Sequence, residues 1–362
     1  MKYYIIPVFV PHLGCPHDCV FCDQAKITNQ ERSVIKEVTG QDVHRIVDEY
    51  LSTMDTENAV IEISFFGGTF TAIPRLKQEE LLSAAKYHLD KGQINHIRCS
   101  TRPDYINDEI LDFVKSCGMD IIELGVQSLN EDVLFLSGRG HNSKSVEEAS
   151  LLIKKHGIKL GHQLMLGLPG DNKEKDLESA KRSIKMAPDF VRIYPALIIK
   201  GTPMEAMFLK GIYKPYSLDK AIAVSSEMID MFSLAGVNVI RVGLQPTEEI
   251  SPGNSLVAGP YHPAFRELTQ SYSFWKKIRE FVLDSADFEH DENEHIFKKD
   301  SLVIKVNPKD ISTVFADKKK YLIEFMDLMS DKEINVLTEQ AAHVNRGIAM
   351  VSFRGVEFSI TI

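Results

Sequence analysis

Residues 14–22 read Gly14-Cys15-Pro16-His17-Asp18-Cys19-Val20-Phe21-Cys22, directly behind an apolar run over residues 3–10. The spacing Cys-x3-Cys-x2-Cys gathers three thiols in one short loop. Three thiolates fill three corners of a metal centre and leave a fourth open. An iron-sulfur cluster that only carries electrons takes four cysteines, so a three-cysteine loop suits a cluster with one iron left for a ligand. Two other readings stay open on these residues alone: zinc completed by His12 or His17, or a disulfide with one thiol left over. Cys99 and Cys117 stand alone in apolar surroundings and read as buried thiols rather than part of a secreted disulfide framework.

Outward from this loop the pattern alternates short apolar runs with amphipathic stretches. Strands are predicted at about 3–10, 59–66, 94–99, 119–126, 158–166 and 189–194, and helices near 40–54, 76–90, 107–117, 143–156 and 173–186. Six βα units in succession predict a parallel sheet covered by helices. The unusual residues then fall in one place. The cysteines follow the first strand and Gly67-Gly68-Thr69 ends the second. Ser100-Thr101-Arg102-Pro103-Asp104 ends the third, Gly125-Val126-Gln127-Ser128 the fourth, Gly167-Leu168-Pro169-Gly170 the fifth and Tyr194-Pro195 the sixth. The carboxyl edge of a parallel sheet or barrel is where ligands bind, so six separated segments converge on one rim.

Composition narrows the class. A 362-residue chain with 44% hydrophobic and 26% charged residues is an ordinary soluble globular protein of about two domains. The net charge of −9 gives no global pull toward nucleic acid or an anionic membrane. The first ten residues are too short for a signal peptide, and no run is long enough to span a bilayer, so a cytoplasmic protein with no membrane partner is expected. Beyond the sixth strand, helices near 203–210 and 217–235 precede a possible seventh strand at 237–242. A Gly-, Pro- and Ser-rich loop is expected from Gly243 to about Pro263. The pattern then changes to an aromatic helix around Phe274 and Trp275, an acidic segment around 284–294, a strand at 301–306, a helix at 310–330 and terminal strands at 334–338 and 349–362. This divides the chain into a barrel over 1–245, a connecting loop over 246–265 and a small α+β domain over 266–362.

The sequence resembles the radical S-adenosylmethionine superfamily, which shares the Cys-x3-Cys-x2-Cys loop and a partial (βα)6 TIM-like barrel. More narrowly it is similar to the radical domain of the Elongator catalytic subunit family. The matching segments are Thr101-Arg102-Pro103-Asp104-Tyr105, the stretch from Glu123 to His141, and the stretch from Asp189 to Ser217. A weaker similarity, through Gly67-Gly68-Thr69, Gly125-Val126-Gln127-Ser128 and Gly167-Leu168-Pro169, runs to the oxygen-independent coproporphyrinogen oxidases and their haem-binding relatives.

The resemblance implies a 4Fe-4S cluster held by Cys15, Cys19 and Cys22. It also implies S-adenosylmethionine chelated to the open iron and cleaved reductively to methionine and a 5′-deoxyadenosyl radical, with the electron coming from an external donor such as flavodoxin or ferredoxin. Phe21 would lie against the adenine. Gly67, Gly68 and Thr69 would border the methionine moiety, Gln127 and Arg139 would hold ribose and carboxylate, and Gly167, Leu168 and Pro169 would shape the adenine side. Two positions depart from the pattern. Ser100 stands where these families carry an acidic residue that helps hold the cofactor, and Gln163 stands where the porphyrin enzymes carry an acid.

The Elongator subunit adds an acetyltransferase domain and carboxymethylates a wobble uridine in tRNA. The residues after 265 are too few for such a domain and carry no Gly-rich pyrophosphate loop, so the same overall reaction is not assumed. The resemblance still implies a radical enzyme that modifies an RNA base, with tRNA as the substrate class. The alternatives are a radical enzyme of a small metabolite or tetrapyrrole, and a haem or iron-sulfur carrier or sensor without turnover. Arg192, Tyr194, Lys200, Lys210 and Lys214 are candidate phosphate or carboxylate contacts. His141 and His262 are candidate proton donors, and Trp275-Lys276-Lys277 and Asp317-Lys318-Lys319-Lys320 form weak basic-aromatic spots.

Overall fold

A computed structural model describes residues 2–10, 15, 19–23, 37–244, 251, 253–286 and 301–362. His12, His17 and residues 287–294 of the acidic segment lie outside the described residues. The chain divides into two compact units, residues 1–224 with 228–261, and residues 225–227 with 262–362.

The first unit is built on a parallel sheet in the order β1 (Lys2–Val10), β2 (Ala59–Gly67), β3 (His96–Thr101), β4 (Ile121–Gln127), β5 (Lys159–Leu166), β6 (Phe190–Pro195) and β8 (Asn238–Val242). The six expected strands are all present and pair in sequence order. The seventh closes the run beside β6, also parallel, giving a half-barrel. Its strands alternate by face. Ile61, Ile63 and Phe65 of β2, Ile122, Leu124 and Val126 of β4, and Val191 and Ile193 of β6 form an apolar side buried to 4% exposure or less. Their neighbours Glu62, Glu123 and Arg192 point the other way, into the barrel. A parallel strand with both faces in an apolar core reads as a continuous apolar run; the polar alternates mark the concave side as something other than core.

Local capping fixes where the covering helices begin. Asn107, Asn130, Asn142 and Asn172 each accept a backbone N–H three residues on and open the helices Asp108–Ser116, Glu131–Leu136, Ser143–Lys155 and Lys173–Lys185. Thr39 and Asp42 form a reciprocal capping box at Gly40–Thr53. The helix Glu131–Leu136 is an addition to the sequence expectation; its six residues are too few to show a period.

Three expectations downstream need correction. The run from Gly243 is not loop throughout: β9 (Leu256–Ala258) pairs antiparallel with a two-residue strand β7 (Ile198–Ile199). The helix expected over 310–330 is two helices, Ile311–Val314 and Ala316–Ser330, with left-handed backbone at Asp317, Lys318 and Lys319. The single strand expected over 349–362 is a hairpin, β12 (Ile348–Phe353) and β13 (Val356–Thr361). Arg354 (φ 50) and Gly355 (φ 77) make its two-residue turn, and two successive positive φ values are what a tight hairpin turn demands.

In the second unit these two strands join β10 (Ser301–Val306) and β11 (Asn335–Gln340) in a sheet of order β11-β10-β12-β13. The helix Phe265–Ala286 and the helix Ala316–Ser330 supply Phe274, Trp275, Ile278, Tyr321 and Phe325 to its core. Trp275 is 4% exposed and its indole N–H donates to the Val314 carbonyl at 2.8 Å. Trp275, and Tyr321 next to the second lysine run, are thus core residues.

Candidate active site

The concave side of the half-barrel encloses a cavity of about 720 Å³. Cys15, Cys19, Cys22 and Phe21 line it from the loop behind β1, and Gly67, Gly68, Thr69, Ser100, Gln127 and Arg139 line it from the carboxyl ends of β2 to β4 and the segment beyond. The cysteine loop is tied down at its described end. Val20 N–H donates to the Ser137 carbonyl at 3.1 Å, Met204 N–H to the Val20 carbonyl at 2.8 Å, and Cys22 N–H to the Cys19 carbonyl at 3.0 Å. Phe21 has one side on the cavity and packs behind against Leu168, Val133 and Ala196.

Gly167, Leu168 and Pro169 are not on the cavity wall. Leu168 is buried behind Phe21, and Gly167 is fixed by the Tyr213 hydroxyl, which donates to its carbonyl at 2.6 Å, and by Asp176, which accepts its N–H at 3.3 Å. This segment shapes the wall through Phe21 and Met165 instead of forming it. Burial, with Asp171 alongside, pushes the Asp176 carboxyl up to about 9, and the Tyr216 hydroxyl donates to it at 2.8 Å. Gly67 needs its glycine for another reason than ligand approach alone. Its φ is +124 and a Cβ would meet the Val10 carbonyl oxygen at 2.0 Å, so strand pairing already forbids a side chain there.

The rim carries buried polar atoms with no protein partner: Thr69 Oγ1, Arg102 Nη1 and Arg139 Nε. Arg102 is otherwise held by Asp104, which accepts from its Nε and Nη2 at 2.9 Å each. Arg139 donates from Nη1 to the Cys19 sulfur at 3.2 Å and from Nη2 to the Gly125 carbonyl. A buried group left without a partner loses its hydration for nothing in return, so a cluster of such donors beside one cavity points to a ligand that accepts from them. Gln127 has a left-handed backbone (φ 65) at a bulge in β4. A non-glycine residue held there stores strain of a kind found at ligand sites.

Deeper in, the wall is ionic. Arg98 pairs with Glu62 at 2.8 Å and with Glu123 at 3.6 Å, and Arg192 pairs with Glu123 at 3.2 Å. Tyr3 and Ser64 hydroxyls also donate to Glu62. Phe66 lies under both guanidiniums, 5.3 Å from Arg98 and 5.2 Å from Arg192. Glu123, Arg192, Tyr194 and Gln163 reach the cavity. Glu123 is the residue the sequence reading passed over. It sits opposite Ser100 in the β3–β4 register, with the Ser100 hydroxyl donating to it at 3.4 Å, so an acid lies one strand from the position where the resemblance expected one. Its signal was an ionisable residue inside the apolar run Ile121-Ile122-Glu123-Leu124.

Of the other candidates, Lys200, Lys210 and Lys214 are exposed and do not line this wall. His141 is buried beside it, its pKa lowered to about 3 by burial and by Arg139 and Arg102, which makes it a neutral ring at physiological pH. His262 Nδ1 accepts from the Ala264 N–H at 3.1 Å, a local turn contact.

A parallel half-barrel with three cysteines at its carboxyl rim defines a class, and the chain belongs to it: the radical S-adenosylmethionine superfamily model matches residues 9–182, and the C-terminal domain model of the same superfamily matches residues 188–273. It is an enzyme family that uses a 4Fe-4S cluster and S-adenosylmethionine. Within it, the chain is 29% identical over 259 residues to a tRNA uridine(34) acetyltransferase of Methanocaldococcus infernus, covering 61% of this chain and 48% of that protein. It is 30% identical over 251 residues to an uncharacterized protein of Methanocaldococcus jannaschii, covering 64% and 73%. The solved structure of Methanocaldococcus infernus Elp3 with an N-terminal deletion shares the fold, with a TM-score of 0.58 at 23% identity over 77% of this chain and 63% of that one. The chain spans about half the length of the acetyltransferase it matches.

The residues present fit the family's cofactors. Among the described residues, which include all five cysteines, no disulfide is formed, and no three His, Cys, Asp or Glu side chains are drawn together as a finished metal cage. The three thiols instead share one cavity wall, with unpartnered donors at the same rim. Soft sulfur ligands beside acceptor-seeking donors are the chemistry an iron-sulfur cluster and an amino-acid sulfonium require. No described helix is long and apolar enough to cross a membrane.

Proposed function

We propose that this chain cleaves S-adenosylmethionine reductively in the half-barrel and directs the resulting radical at a base of an RNA, with tRNA as the substrate class. The observation that carries it is the meeting of Cys15, Cys19 and Cys22 with the unpartnered donors Thr69 Oγ1, Arg102 Nη1 and Arg139 Nε on one cavity. When bound, the cluster supplies the electron that breaks the sulfonium bond, drawn from an external donor of the flavodoxin or ferredoxin kind.

The chain's own residues do the rest. The three thiolates would hold the cluster, and Gly67 to Thr69 and Arg139 would border the amino-acid end of the cofactor. Gln127 and Ser100 would serve the ribose, and Phe21, with Leu168 packed behind it, would close the adenine side. The inner wall of Glu123, Arg192, Tyr194 and Gln163 remains for the substrate. The tRNA reading is supported by the relatives' names; the whole of their reaction is not carried over, since the match covers only part of them.

The test is anaerobic reconstitution with iron and sulfide, then dithionite and S-adenosylmethionine, with 5′-deoxyadenosine measured with and without bulk tRNA. Stimulation by tRNA that weakens steeply with salt is expected, because phosphate contacts release counterions. Cleavage indifferent to both tRNA and salt would move the substrate to a small molecule.

A further inference from the structure

We infer that Arg139 is an electrostatic positioning residue for the iron-sulfur cluster, donating an N–H to the sulfur of Cys19 and thereby raising the cluster's reduction potential, a role beyond holding the cofactor carboxylate. The inference rests on the cluster reading above.

The geometry is specific. Nη1 lies 3.2 Å from Cys19 Sγ, within N–H···S distance. Nη2 is held by the Gly125 carbonyl, and the backbone carbonyl of Arg139 accepts from Arg102, so the base of the side chain and one edge of its guanidinium are each tied while Nη1 faces the sulfur. A Cβ at Gly125 would stand 3.3 Å from Nη2 and 3.1 Å from Gln127 Nε2, so both side-chain ends would have to shift by a few tenths of an ångström.

Charge balance argues the same way. Arg139 is 5% exposed, and among the described residues no carboxylate lies within ion-pair distance of it. Arg102, equally buried, has Asp104. A guanidinium buried without a counter-charge is strongly unfavourable. With the cluster in place, the anion nearest to hand would be the Cys19 sulfur and the centre it ligates. Reducing the cluster adds one electron's charge to that centre; a fixed cation and an N–H on a ligand sulfur favour the reduced form, and hydrogen bonds to sulfur are among the levers that set such potentials. Nε remains without a partner, which leaves one edge of the same fork for the cofactor's carboxylate.

The experiment is EPR-monitored redox titration of the reconstituted full chain, without S-adenosylmethionine or RNA, for the wild type, Arg139→Gln and Arg139→Lys. Arg139→Gln is expected to lower the reduction equilibrium constant about tenfold, a midpoint about 59 mV more negative for a one-electron couple. Arg139→Lys, which keeps the charge but loses the fork, should fall between. Arg139→Lys also decides the matter if Arg139→Gln does not take up a cluster. Unchanged midpoints, with only S-adenosylmethionine affinity weakened in a separate titration, would overturn the inference and leave Arg139 as a carboxylate contact. Failure of both variants to load iron while the wild type loads would overturn it too, by making Arg139 a structural tie of the loop. Failure of the wild type itself to take up iron and sulfide would sink the proposed function instead.

Discussion

The two units of this chain fill their interiors in opposite ways. The second buries Phe274, Trp275, Tyr321 and Phe325 against an antiparallel and parallel sheet, with the one indole N–H satisfied by a carbonyl. The first buries Glu62, Arg98, Glu123 and Arg192 on the concave side of its sheet. Apolar filling stabilises directly, whereas a buried ion pair does little better than break even against its desolvation. A fold that keeps four such charges inside a barrel therefore keeps them for something other than stability. The rim above them adds the three cysteines to unpartnered donors on Thr69, Arg102 and Arg139, and the inner wall likewise leaves Arg98 Nη2, Glu123 Oε2 and Arg192 Nε without a hydrogen-bond partner, so both stretches of this one cavity suit a polar ligand.

The contrast can be broken most severely at the cysteines. Cys19→Ala is expected to abolish both iron uptake and 5′-deoxyadenosine formation, with the thermal transition of the second unit, followed by Trp275 fluorescence, unmoved. Retained cleavage would remove the rim from the account. Next in size, Glu123→Ala strips the shared counter-charge from Arg98 and Arg192, and a broken buried network costs about 3–5 kcal/mol. Denaturant unfolding should show that loss. A fall under about 1 kcal/mol would mean that water or the two arginines' remaining partners already screen them.

How far all this was visible in the sequence follows the same division. The barrel was legible because each outward strand face is apolar without a break, as in Ile61, Ile63 and Phe65, and because an Asn or Thr cap announces the next helix. The cysteine loop was legible because spacing alone specifies it. The inner wall was not: Glu123, Arg98 and Arg192 lie on three strands far apart in sequence, and it takes the registers from β3 through β6 to bring them together. The second unit misled where turn chemistry, at Arg354-Gly355, outweighed an unbroken β-forming run, and where Trp275 beside two lysines suggested a surface that packing had used for core.

Smaller effects sharpen the comparison. Trp275→Phe removes the hydrogen bond to Val314 and is expected to cost about 1 kcal/mol, with tRNA stimulation of cleavage and its salt dependence unaltered; a selective loss of tRNA response would put the second unit's aromatic core back at an RNA surface. Asp176→Asn addresses the support under Gly167. The folded-state pKa of Asp176 is raised, so the folded protein keeps a proton that the unfolded chain releases above its ordinary value of 3.8. The wild type therefore loses stability from this group as pH rises from about 4 toward about 9, and the Asn variant does not. Thermal midpoints across that window should diverge in favour of the variant as pH increases. Parallel curves would show that Asp176 ionises normally in the fold.

The central claim is that the carboxyl rim of the half-barrel is a site for reductive cleavage of S-adenosylmethionine. The most direct measurement is 5′-deoxyadenosine and methionine produced by the anaerobically reconstituted, dithionite-reduced full chain, with Cys22→Ala as the matched control. The account predicts both products in equal amounts from the wild type and neither from the variant. A wild type that takes up iron and sulfide fully, binds S-adenosylmethionine and still yields no 5′-deoxyadenosine, with tRNA or without, would contradict it.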